Sequence, residues 1–150
     1  MLLFTISATL VAFVSFLQTT NSIIIWQIKP NLVFALFAVL AHVNKNWVVR
    51  SVIILISAVL LKFSPIVSWA DIIFVSVSLL IFALVDYLPW RRLVNSIVSL
   101  TAGTLVFGLS HLNLSILWRE LAINTAAVVI FFVIIRLLYG EEKISKKNRF

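Results

Sequence analysis

The chain has no cysteine, only three glycines and three prolines in 150 residues, and five acidic residues against twelve basic ones. Without cysteine there is no disulfide, no thiol nucleophile, no thiolate metal site and no cysteine lipidation. So little glycine and proline argues for helices with short connections. It argues against a membrane β-barrel, whose strands alternate polar and apolar residues. His42 and His111 share no motif with each other or with a carboxylate. No nucleophile–base pair, phosphate loop or metal cluster is recognisable. The sequence gives no basis for an enzyme, and it implies no cofactor and no metal.

What the chain has is apolar bulk. It is 63% hydrophobic, with a mean hydropathy of +1.17. A soluble domain of this size is about half apolar, and too little polar surface is present here to clothe a globule in water. The composition predicts an all-α, polytopic transmembrane helical bundle at 1–140, followed by a basic cytoplasmic tail at 141–150. The net charge of +7 reads as the basic bias of cytoplasmic loops, not as affinity for nucleic acid.

Crossing a hydrocarbon core takes roughly 20 helical residues. Six apolar stretches occur: Leu2–Gln18, Asn31–Val43, Trp47–Leu61, Trp69–Val85, Leu93–Leu109 and Ile116–Leu138. The first lacks the basic start and small-residue cleavage site of a signal peptide, so it is expected to stay as a helix. The second and third are short. A single helix over 31–61 would carry Asn44-Lys45-Asn46 and Arg50 to mid-membrane, which is costly. A hairpin with its tip at Asn44–Asn46 is expected instead, and its depth in the bilayer is left open.

Six crossings place nine of the twelve basic residues on the side of the N-terminus and three, Lys29, Lys62 and Arg119, on the other. The positive-inside rule then puts both termini in the cytoplasm. Trp26, Trp47, Trp69, Trp90 and Trp118 all lie at or just beyond segment ends. Indole rings favour the membrane–water interface, so these five are expected interface anchors.

The acids can be taken one by one. Ser68-Trp69-Ala70-Asp71 has the spacing of a capping box opening the fourth helix. Asp86 precedes Tyr87-Leu88-Pro89-Trp90-Arg91-Arg92 and is an expected ion-pair partner of Arg91 or Arg92. Glu120 stands in the first turn of the last helix, where negative charge suits the helix dipole. Glu141 and Glu142 belong to the tail. No ionisable residue falls mid-span, which weighs against proton relays and ion-coupled pumps. The fifth helix carries Asn95, Ser96, Ser99, Thr101, Gly103 and Thr104. Ser99 and Gly103 have the small-xxx-small spacing of close helix packing. Asn113-Leu114-Ser115 matches a glycosylation sequon, but its loop lies too close to the membrane for use to be expected.

The stretch Leu17-Gln18-Thr19-Thr20 ends the first helix, and Ile28-Lys29-Pro30-Asn31-Leu32 opens the second. This pair resembles the rod-shape-determining protein MreD family, which shows a Leu-Gln-small ending followed by an Arg/Lys-Pro-Asn/Asp-hydrophobic restart. Trp118-Arg119-Glu120-Leu121-Ala122-Ile123-Asn124 is similar to that family's closing segment. The chain departs from the family pattern in having no glycine before Gly103 and no acid before Asp71.

The resemblance implies a non-enzymatic scaffold subunit of a bacterial cell-elongation complex that builds peptidoglycan, in the bacterial cytoplasmic membrane. The implied partners are membrane lipids, an MreC-like single-span protein, an MreB-like filament and a glycan polymerase–transpeptidase pair. It also implies a fold similar to the substrate-binding subunits of energy-coupling-factor transporters. The alternative function is therefore a small-molecule (vitamin) binding membrane subunit of a transporter. Gln18, Lys29, Pro30, Asn31, Glu120 and Asn124 are the residues it marks as lining a partner surface or a pocket.

Overall fold

A computed structural model describes residues 2–20, 22, 24, 25, 28, 30–61, 68–108 and 114–139. Trp26, Lys29, Lys62, His111, Asn113 of the sequon and the tail 141–150 lie outside the described residues. The described residues form six helices: α1 (Leu2–Thr19), α2 (Leu32–Leu40), α3 (Trp47–Leu61), α4 (Trp69–Tyr87), α5 (Arg92–Gly108) and α6 (Leu114–Tyr139). The described residues hold no strand, only one isolated bridge between Ile25 and Ile28. α4 and α6 (from Ile116) are long and apolar enough to cross a membrane, whereas α1, α3 and α5 are apolar but shorter.

The helices alternate in direction, and side-chain bonds fix which ends meet. At one end, Tyr139 of α6 meets Ser7 of α1, and Asp86 of α4 meets Arg50 of α3. At the other, Gln18 of α1 meets Asn31 before α2, Thr19 meets Leu60 of α3, and Thr104 of α5 meets Asn124 of α6.

α2 occupies the centre. All nine of its residues are buried, and it packs on α1, α4, α5 and α6. Its sequence, Leu-Val-Phe-Ala-Leu-Phe-Ala-Val-Leu, is apolar on every face, as a helix surrounded by protein must be. Phe34 stacks on Phe74 of α4 at 5.2 Å and meets Phe107 of α5 edge-on at 5.4 Å. Phe37 lies 5.4 Å from Phe82.

Two expectations need correction here. The second apolar stretch does not stay helical to Val43, because the helix ends at Leu40 and 41–43 form a turn. Nine residues rise only ~14 Å, less than half the ~30 Å of a hydrocarbon core. The chain does reverse near Asn44–Asn46. However, α3 lies against α1 and α4 instead of pairing with α2 as a simple hairpin.

Other expectations match the structure. Ser68 caps α4: its hydroxyl accepts from the Asp71 backbone amide, and the Asp71 carboxylate accepts from the Ser68 backbone amide at 2.7 Å. Ser99 and Gly103 are both buried on α5. A Cβ on Gly103 would stand 2.7 Å from Cδ1 of Ile81 and 3.2 Å from Cγ1 of Val77. The missing side chain is what lets α5 close on α4.

Polar side chains are buried within the apolar core, and large apolar side chains face outward. Arg50, Asn124, Ser7, Ser15, Ser57, Ser78, Ser96 and Ser99 are fully buried, while Phe13, Phe16, Leu55, Val59, Ile130 and Leu137 are more than half exposed. The four described tryptophans are exposed at or near helix ends. Trp47 and Trp90 lie at the end that holds Asp86, and Trp69 and Trp118 at the opposite end.

Gly103 gives a direct test. Gly103→Ala gains up to ~1 kcal/mol of helix propensity, but its Cβ would stand 2.7 and 2.8 Å from Cδ1 and Cγ1 of the fully buried Ile81, so the contact between α4 and α5 must shift and a net loss is expected. Gly103→Leu adds far more bulk at the same contact and is expected to cost about 1–3 kcal/mol through overpacking. Thermal unfolding in detergent should lower the midpoint of the alanine variant and lower that of the leucine variant further.

Candidate functional site

A helix leaves its first amides and last carbonyls without intrahelical partners. For α2 both ends lie inside protein, so neither end can be left to water. An unpaired buried amide or carbonyl costs about 1–3 kcal/mol. Two polar clusters supply the missing partners, one at each end.

The first cluster is built on the residues singled out by the sequence. Oε1 of Gln18 accepts from the Val33 amide at 3.1 Å, and its Nε2 donates to Oδ1 of Asn31 at 3.3 Å. Oδ1 of Asn124 accepts from the Asn31 amide at 2.9 Å, and Nδ2 of Asn124 donates to Oγ1 of Thr104 at 3.4 Å. Asn31 occupies the N-cap position of α2 but makes no cap bond with its own side chain. The caps come from other helices. Pro30 is buried just before it, where a residue without an amide removes one donor that would need a partner.

Gln18, Pro30, Asn31 and Asn124 are thus gathered in one place. Glu120 is not in the first turn of the last helix, as expected, because α6 already begins at Leu114; it stands a turn before Asn124, with a side-chain hydrogen bond to it. The structure does not turn Gln18, Asn31 and Asn124 toward a solvent-filled pocket. Their polar atoms are used on α2.

The second cluster closes the other end. Arg50 is fully buried in the first turn of α3. Its Nη2 donates to the Ala41 carbonyl at 2.9 Å and its Nε to the Asn44 carbonyl at 2.6 Å. A cation at a helix C-terminus is also favoured by the helix dipole. Ser96 of α5 donates to the Ala38 carbonyl at 2.9 Å. The guanidinium lies over the rings of Trp47 at 4.8 Å and Phe82 at 5.1 Å.

The counter-charge of Arg50 is Asp86, which also binds Nζ of Lys45 at 2.7 Å. This corrects the expected pairing of Asp86 with Arg91 or Arg92. The carboxylate turns inward, where a buried cation needs it more than exposed ones do. The chain of contacts continues through Asn44, whose Nδ2 donates to Ser7 at 2.9 Å, and on to Tyr139 at 3.0 Å from Ser7.

Sequence reading set His42 aside, and the structure places its Nε2 2.9 Å from Oγ of Ser96. Ser96 commits its only hydroxyl proton to Ala38, so the histidine is the donor. The hydroxyl is fully buried, so this serine–histidine contact is a structural brace with no access for a substrate. Burial, with Lys45 and Arg92 nearby, lowers the His42 pKa from 6.5 to about 4. Among the described residues no group of three His, Asp or Glu is placed to hold a metal ion. The sequence signal that could have found Arg50 was its cost: an arginine this near an apolar run needs an acid from another helix.

Beside the first cluster, α1 and α6 splay apart over α2. The gap is an apolar groove of about 560 Å³, with Pro30 and Ile25 at one end and Leu32 and Leu36 among its lining residues.

Three variants test the capping scheme. Gln18→Ala and Asn124→Ala should each lower stability by about 1–3 kcal/mol by orphaning a buried amide. Arg50→Met should cost more, about 2–5 kcal/mol, by leaving the Ala41 and Asn44 carbonyls without their buried donor, while Asp86 keeps Lys45 as a partner. Thermal or denaturant unfolding in micelles would read all of these.

The histidine gives a pH test. The unfolded chain takes a proton near pH 6.5, and the folded chain only near 4. Stability should therefore fall as pH drops through that window. The decline should be shallower in a His42→Gln variant.

No protein-family model, curated protein or solved structure matches this chain.

Proposed function

We propose that the chain is a multi-pass, non-enzymatic scaffold subunit of the bacterial cell-elongation machinery, in the cytoplasmic membrane, with both termini inside. The observation that carries this reading is the convergence of Gln18, Asn31 and Asn124. These are residues on which the resemblance to the MreD family rests, and they meet at one buried helix end although Asn31 and Asn124 are 93 positions apart.

Membrane residence is supported by the large apolar side chains that face outward and by two tryptophan belts at opposite ends of the bundle. The end bearing Lys45, Arg50, Arg91, Arg92 and Arg136 is the cytoplasmic one under the positive-inside rule. Among the described residues the opposite end carries Arg119. The protein's own groups are committed to holding α2, which favours an assembly role over chemistry. The partners of this reading are an MreC-like single-span protein, an MreB-like filament and a glycan polymerase–transpeptidase pair.

The transporter reading gains less support. A vitamin pocket needs a few convergent polar groups, and the groove between α1 and α6 is lined by apolar side chains throughout.

Depletion in the native host should turn rods into rounded cells, as seen by light microscopy. Rods of unchanged width would refute the scaffold reading.

A further inference from the structure

The groove between α1 and α6 has no role in the scaffold argument. Its walls are formed in part by Leu10 and Val14 of α1 and by Ala126 and Ile130 of α6, with Leu32 and Leu36 of α2 forming its floor. Ala122 and Ala126 lie exposed along its α6 wall, so that wall is low and open to the side. A volume of about 560 Å³ lies within the ~300–1,000 Å³ of sites that hold one small ligand.

Charge is found at one end. Arg119 and Glu120 precede the groove-lining residues Ala122 and Ile123 on α6. At ~100° per residue they fall on either side of the direction faced by Ile123, Ala127 and Ile130. Arg119 is exposed and Glu120 half-buried. Neither has an ion-pair partner among the described residues, where the two salt bridges are those of Asp86. Asp71 serves as a cap and Asp86 is paired, so among the described carboxylates Glu120, hydrogen-bonded to Asn124, is the one without a cation beside it. A cation and an anion one helical turn before the groove-lining Ile123, on either side of its direction, match a zwitterionic headgroup above an acyl chain.

We propose that this groove binds a phospholipid with a primary-amine headgroup. One acyl chain lies between α1 and α6, the phosphate meets Arg119, and the ammonium meets Glu120. The site rests on the membrane-embedded reading of the bundle and not on the cell-elongation role. An amine headgroup is favoured over a quaternary one because a primary ammonium donates hydrogen bonds to a carboxylate, and such charge-assisted bonds are strong and directional. An anionic lipid without an amine leaves Glu120 unmatched.

The test is native mass spectrometry of the full-length protein from nanodiscs of defined composition, containing phosphatidylethanolamine, phosphatidylcholine and phosphatidylglycerol in equal parts. The wild type should retain one phosphatidylethanolamine per chain in preference to the other two. Glu120→Gln should reduce that preference over phosphatidylcholine by about 10-fold, the equivalent of one charge-assisted hydrogen bond. Ala126→Trp, and independently Ala122→Phe, should fill the groove and abolish retention of all three lipids. Their unfolding midpoints, measured alongside, should stay near wild type because both sites are exposed.

Equal retention of the three lipids would overturn the proposal, as would a preference for phosphatidylglycerol. So would unchanged retention when the groove is filled. A photo-crosslinker at Ala126 in native membranes should label lipid, and labelling of a protein helix instead would also overturn it. Release of the protein from membranes by alkaline carbonate would be a different failure, that of the membrane reading itself.

Discussion

The rest of the bundle depends on satisfying the two ends of a helix that never reaches a surface. α2 is short and buried at both ends, so its terminal amides and carbonyls compete for partners within protein. Hydrophobic burial does not solve that problem. It is solved by side chains sent in from α1, α3, α5 and α6, each of which gives up a polar group to a backbone not its own. The same contacts fix how the surrounding helices stand relative to one another. Capping and tertiary assembly are therefore one event here.

This changes the meaning of the polar residues in an apolar chain. Buried asparagine, glutamine and arginine in a membrane-type sequence invite a reading as ligand or ion sites. Here Gln18, Asn124 and Arg50 each spend a hydrogen bond on a backbone atom at an end of α2. What would be left for an outside molecule is a different region, apolar inside and charged at one rim. Rigid polar ends and a soft apolar flank are different surfaces with different demands, and they lie next to each other only because α1 and α6 part over α2.

Much of the layout was legible beforehand. Long apolar runs bounded by tryptophan and polar clusters mark helices well, and α3 begins and ends at Trp47 and Leu61 as its pattern indicates. The Ser68–Asp71 cap and the close approach at Gly103 follow from local spacing alone. The early end of α2 was not legible, because Ala41, His42 and Val43 are compatible with a helix, and what stops it is tertiary capping. The partner of Asp86 was missed for a similar reason. Proximity in sequence favoured Arg91 and Arg92, whereas desolvation of Arg50 decided the matter. Gln18, Asn31 and Asn124 were marked by resemblance, and the purpose that joins them needed three dimensions.

The cap on Asn31 also sets an order of assembly. Its acceptor, Asn124, is made 93 residues later, after three intervening helices. Until α6 arrives, one end of the central helix lacks that acceptor, and α2 cannot take its final place as it emerges. Assembly is thus closed by the last helix, and a chain cut short before Asn124 would lose the bond that locks its centre.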